Sequence, residues 1–179
     1  MHQVAANYTP TLIIGIRTGG LLVAEAMARA AAAPLPVLPL TCRRATTGMK
    51  SHVPLLRSAL SALPRPAIDM MRRLEHRWLI APRRQRTVRQ QIDRGEVGAV
   101  NDWLVARQSS ERILVADDAI DSGATLATVL QQLRAICLAG TEIRSAVITQ
   151  TLDEPVIKPD YVLFQGVLCR FPWSFDAAE

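Results

Sequence analysis

The chain has 179 residues, 49% of them hydrophobic, and a formal net charge of +5, which suits one domain with a substantial core. It contains no apolar run of roughly 18 residues or more, which excludes a spanning helix. Its N-terminus lacks the basic flank and long apolar stretch of a signal peptide. Cys42, Cys137 and Cys169 are widely spaced and none belongs to a CxxC pair, so neither a disulfide framework nor a zinc site is indicated. A reducing cytoplasm is the expected compartment.

In chain order, Thr11 to Ile16 is predicted as a buried strand. A turn at Arg17-Thr18-Gly19-Gly20 follows, then an Ala-rich helix over 21–33 that Pro34 and Pro36 end. A second strand is predicted over 37–42, completing one βαβ unit. Beyond it, apolar residues recur at helical spacing (Leu55, Leu56, Leu60, Leu63, then Ile68, Met71, Leu74, Trp78), while Pro64, Pro66 and Pro82 break the pattern. This predicts a helical insertion or cap over 54–110 within a single domain, 1–179, with Trp78 and Trp103 as small-core anchors.

From Arg57 to Arg94 the arginines face only Asp69, Glu75 and Asp93, and the only lysines of the chain are Lys50 and Lys158. Such a cluster suits phosphates or nucleic acid. A solvated helix face explains it more simply, and nucleic acid is not the favoured partner.

Ile113 to Ala116 reads as a buried strand, followed by Asp117-Asp118, then Asp121-Ser122-Gly123-Ala124-Thr125, then the helical pattern Leu126, Val129, Leu130, Leu133, Ile136. The helix is expected over 123–139, closed by Gly140, with a strand over 142–148. Tyr161 to Phe164 and Val167 to Cys169, split by Gln165-Gly166, are either a hairpin or one bulged strand. Strands alternating with helices predict an α/β fold, a mostly parallel sheet flanked by helices. In such sheets ligands bind beyond the carboxyl ends of the strands. A hydroxyl-rich turn opening a helix aims unpaired backbone N–H groups at an anion. Carboxylates beside it suit ribose hydroxyls or a magnesium ion carried on phosphates.

The 113–125 segment resembles the phosphoribosyl-pyrophosphate (PRPP) motif of type I phosphoribosyltransferases. The resemblance implies that Asp117 and Asp118 hold the ribose hydroxyls and meet Mg²⁺ indirectly or through PRPP. It also implies that Ser122, Gly123, Ala124 and Thr125 surround the 5′-phosphate. Ile14 to Leu21 resembles the family's pyrophosphate loop, with Arg17, Thr18, Gly19 and Gly20 at the anion; the family often has a basic residue directly before Gly-Gly, where this chain has Thr18. Thr41 to Val53 resembles in position the family's flexible catalytic loop, making Arg43, Arg44 and Lys50 candidates for pyrophosphate contact.

Lys158-Pro159-Asp160-Tyr161 and Phe171-Pro172-Trp173 are similar to the ending of bacterial xanthine–guanine and related 6-oxopurine enzymes. In those, the Asp121 position exchanges a proton with purine N7; a helix N-cap is the other role open to Asp121, and one carboxylate can serve both. Two departures concern the base. The family's lysine on the strand after the PRPP helix is absent, with Gln150 or Thr149 as the nearest polar residue. The base-stacking aromatic falls on Leu168.

The resemblance implies a Mg²⁺-dependent enzyme that moves ribose 5-phosphate from PRPP to a nitrogenous base, purine-like in the first instance, and a homodimer or higher oligomer. A PRPP- or nucleotide-sensing regulator, or a specialised enzyme using an uncommon acceptor or the reverse direction, would keep the same fold.

Overall fold

The computed structural model describes residues 1–44 and 90–173. Helix α1 (His2–Tyr8) leads into β1 (Leu12–Ile16), α2 (Gly19–Arg29) and β2 (Val37–Leu40). Next come β3 (Cys42–Arg44), β4 (Gln90–Ile92), α3 (Arg94–Arg107), β5 (Arg112–Ile120), α4 (Ala124–Ile136), β6 (Glu142–Gln150) and β7 (Tyr161–Gln165). Five strands form one sheet in the order β2-β1-β5-β6-β7, and every neighbouring pair is parallel.

Parallel sheets are covered on both faces, so their strands are continuously apolar. All five residues of β1 are buried accordingly. Alternate residues then serve opposite faces. Leu12, Ile14, Ile113, Val115 and Val147 join Val100 and Leu104 of α3 and Leu126, Val129 and Leu133 of α4 in one core cluster. Ile13, Leu114, Ala116 and Ala146 join Tyr8 of α1 and Val23, Ala24 and Met27 of α2 in the other. Each fully buried Leu, Ile or Val contributes roughly 1.5–3 kcal/mol of transfer free energy.

The expected α/β class is present, and the boundaries differ in instructive ways. β5 runs to Ile120 rather than ending ahead of the acids, so Asp117 and Asp118 belong to the strand itself. The register with β6 continues on both sides of Asp118, Asp117 beside Val147, Ala119 beside Thr149 and Ile120 beside Gln150. α2 stops at Arg29, ahead of the prolines. Of the C-terminal apolar pair only the first segment is a strand, β7, ended by Gly166 at φ 66°; Val167 to Cys169 lie outside any strand, so the pair is neither a hairpin nor one bulged strand.

The chain divides into two compact units, Met1–Cys42 with Ile92–Glu179, and Arg43–Gln91. Of the second unit only Arg43, Arg44, Gln90 and Gln91 are described, within β3 and β4, which form a separate two-stranded sheet. Residues 54–89 of the expected insertion lie outside the described residues. The remainder carries β4 and α3, and α3 buries Val100 and Leu104 against the main sheet. Among the described residues no helix is long and apolar enough to cross a membrane.

Candidate functional site

β1 leads through α2 to its outer neighbour β2, whereas β5 leads through α4 to β6 on the other side. The two helical connections diverge between β1 and β5, and a crevice opens at the carboxyl ends of such a pair. The glycine turn and the acidic pair emerge there from adjacent strands, where Gly15 is paired with Ala116.

Contact between them is close. A Cβ on Gly20 would lie 2.5 Å from the Ala116 carbonyl oxygen and 2.8 Å from the Asp117 Cα. A Cβ on Gly19 would overlap the Asp118 carboxylate and sit 2.5 Å from the Trp173 indole nitrogen. Only glycine lets the two backbones approach this far. The peptide between Arg17 and Thr18 is cis; Thr18 is exposed and precedes the first residue of α2.

Each carboxylate of the pair accepts the next residue's amide, Asp117 from Asp118 at 3.0 Å and Asp118 from Ala119 at 2.9 Å. The second Asp118 oxygen accepts the indole N–H of Trp173 at 2.8 Å, and that indole stacks on Phe171 with centroids 5.2 Å apart. A carboxylate offers about four acceptor positions, so Asp118 retains capacity for a ligand hydroxyl.

Asp117 is buried, and burial followed by the neighbouring Asp118 charge pushes its carboxyl well above the usual range. A raised folded-state pKa means that Asp117's contribution to stability is complete below the ordinary value of 3.8. It is lost as pH rises through the folded value. Asp117→Asn is therefore expected to raise the unfolding temperature of the ligand-free protein at pH 7, where each ~1 kcal/mol corresponds to about 2–4 °C. Thermal unfolding of both proteins at pH 4 and pH 7 checks this: the gap should be wide at pH 7 and narrow at pH 4. A variant no more stable than the parent at pH 7 would contradict it.

Among the described residues no three His, Cys, Asp or Glu side chains gather to hold a metal. Two carboxylates alone do not make a Mg²⁺ cage. They do fit an ion that arrives on phosphate oxygens and keeps several waters.

The loop after β5 opens α4 without a side-chain cap. Gly123, at φ 75°, occupies the N-cap position, so Asp121 is not the helix cap that the sequence left open. Ser122 Oγ accepts the Ala124 amide at 3.5 Å. The Thr125 and Leu126 amides have no partner among the described residues, as the first turn of a helix requires.

Residues 151–160 fold back over this loop. The Val156 amide donates to the Ser122 carbonyl at 2.8 Å, and Ile157 and Pro155 pack against Gly123. Asp160 pins the far end by accepting both the amide and the hydroxyl of Ser145 at 2.8 Å. Asp121 is exposed, and its carboxylate accepts the Thr151 hydroxyl.

Of the base candidates, Gln150 is buried at the end of β6 and its amide nitrogen donates to the Leu152 carbonyl at 2.8 Å. It lines an open, polar hollow of about 170 Å³ with Lys158, Val162 and Gln165. Leu168 is 55% exposed beyond β7. Arg17 pairs with Glu96 of α3, Nε to Oε1 at 3.1 Å. Arg43 is exposed on β3, Arg44 is described in backbone only, and Lys50 lies outside the described residues. Thr151 and Glu96 are residues that sequence patterns did not mark as part of the site, and the bond of Trp173 to Asp118 was not foreseen from the family-like ending that contains it.

A family profile described as the Phosphoribosyl transferase domain matches residues 1–178. The chain belongs to the type I phosphoribosyltransferase family. Its fold is similar to that of the purine phosphoribosyltransferase of Pyrococcus horikoshii Ot3, at 17% identity and TM-score 0.58 over 97% of this chain and 83% of that one. It is also similar to the xanthine-guanine-hypoxanthine phosphoribosyltransferase of Helicobacter pylori, at 16% identity and TM-score 0.56 over 98% and 83%. A hypoxanthine phosphoribosyltransferase from Staphylococcus aureus follows at 13% identity and TM-score 0.54 over 95% and 72%. At these identities the likeness is one of fold. No curated protein matches the chain.

Proposed function

We propose that this phosphoribosyltransferase moves ribose 5-phosphate from PRPP to a ring nitrogen of a purine-like base and releases pyrophosphate. The observation that carries the reading is the contact of Gly19 and Gly20 with Asp118 and Asp117 at the carboxyl ends of β1 and β5. A sugar bearing a phosphate at one end and a diphosphate at the other needs a diol acceptor between two anion cradles, and these elements supply that order.

In this reading Asp117 and Asp118 accept the ribose hydroxyls and fix the ring while positive charge builds at C1. The Thr125 and Leu126 amides of α4's first turn, with the hydroxyls of Ser122 and Thr125, hold the 5′-phosphate. The 17–20 turn binds the departing pyrophosphate, whose charge bound Mg²⁺ would help neutralise. Asp121, oriented by Thr151, exchanges a proton with the base as its other nitrogen attacks C1.

The purine-like acceptor draws support from Asp121 and from the names of the structurally similar enzymes. Gln150 and Leu168, in place of the lysine and aromatic of the 6-oxopurine enzymes, mark where base recognition differs.

Titration calorimetry of the intact protein with PRPP and Mg²⁺ tests the reading. Saturable binding of one PRPP per chain is expected. Absence of binding with and without Mg²⁺ would overturn it.

A further inference from the structure

Glu96 stands in sequence far from both halves of the motif, at the third position of α3, yet it closes on the glycine turn. The start of α3 is stitched to the end of β2 in both directions. The Asp93 amide donates to the Thr41 carbonyl at 2.9 Å. Glu96 in return accepts the Thr41 amide, and the Thr41 hydroxyl at 3.2 Å. Asp93 also caps the helix by accepting the Gly95 and Glu96 amides at 2.9 and 3.1 Å, which fixes the backbone from which Glu96 projects.

On that anchored carboxylate sits Arg17, through Nε at 3.1 Å. The Arg17 amide meanwhile donates to the Leu40 carbonyl at 3.1 Å. With Nε engaged, the two terminal nitrogens of the guanidinium have no partner among the described residues, and the side chain is 47% exposed. A half-exposed ion pair adds little stability by itself. Its consequence is directional, because a planar guanidinium held by one edge presents the other edge in a set orientation.

We propose that Glu96 is a positioning residue that orients Arg17 for a diphosphate-type anion at the 17–20 turn. The inference rests on the proposal that this turn takes pyrophosphate. It makes a prediction of sign that simple charge does not. Glu96→Gln removes a negative charge beside an anion site, so charge alone would tighten anion binding. Loss of orientation weakens it.

The test is calorimetry with inorganic pyrophosphate and Mg²⁺ on four proteins: the parent, Glu96→Gln, Arg17→Ala and the double variant. Arg17→Ala is expected to weaken pyrophosphate binding about tenfold, and Glu96→Gln several-fold. The double variant should bind no more weakly than Arg17→Ala alone, since Glu96 would act only through Arg17. Additive losses in the double variant would assign Glu96 a structural role and overturn the proposal, as would tighter or unchanged binding in Glu96→Gln. Unchanged binding in Arg17→Ala would remove the pyrophosphate reading of the turn together with the inference. PRPP binding that still depends on Asp117 and Asp118 would then show that the acid-pair reading stands apart from that failure.

Discussion

Asp117→Asn combined with Asp118→Asn is expected to weaken PRPP binding by at least about 100-fold in the presence of Mg²⁺. A hydrogen bond to a charged group contributes roughly 1.5–3 kcal/mol, and the proposed ribose site uses two carboxylates. Together they correspond to about 10²–10⁴-fold in affinity. Asparagine keeps the oxygen that accepts the following amide in each case; at position 118 its NH2 replaces the oxygen facing the Trp173 indole, so the variant gives up that one exposed contact. The fold should therefore survive, and relief of the buried Asp117 charge favours it. Calorimetry paired with a thermal unfolding curve separates the outcomes. Undiminished binding in a well-folded double variant would move the sugar site elsewhere.

Asp121→Asn should do the opposite. Its carboxylate is exposed, accepts the Thr151 hydroxyl, and caps no helix. PRPP affinity rests in the proposed mechanism on neighbouring amides and on Asp117 and Asp118, so it should change little. Turnover should fall by roughly 10²-fold or more, the usual scale for losing a general acid or base. Steady-state kcat with the accepted base, alongside the PRPP dissociation constant, decides between the roles. Unchanged turnover would leave Asp121 a loop residue bonded to Thr151, and a collapse of PRPP affinity would assign it to the sugar-phosphate cradle.

Much of this architecture was legible because its signals are local. A five-residue apolar run, a glycine turn and a periodic helix are each contained in a short window, and parallel burial on both faces made β1 and β5 stand out. The strand-acid-loop-helix order of 112–136 carried the family resemblance for the same reason. What stayed hidden depends on contacts distant in the chain. Nothing in the spacing of Glu96 announces Arg17, because α3 reaches the glycine turn only once Thr41 and Asp93 have joined β2 to the helix. Trp173 reaches Asp118 only because the chain returns after β7. The extension of β5 to Ile120 was obscured by its acids. Sequence patterns treat Asp-Asp as a strand end, whereas pairing with β6 carries the backbone on through them.

The central claim, transfer of ribose 5-phosphate from PRPP to a base, is tested most directly by product formation. The intact protein would be incubated with PRPP, Mg²⁺ and, in turn, purines, pyrimidines and other nitrogen heterocycles, with nucleoside 5′-monophosphate read by mass spectrometry. The expected result is a nucleotide from at least one purine-like base, formed with equimolar pyrophosphate and abolished in the Asp117→Asn, Asp118→Asn variant. PRPP left intact with every base, by a protein that is folded and binds PRPP, would contradict the account.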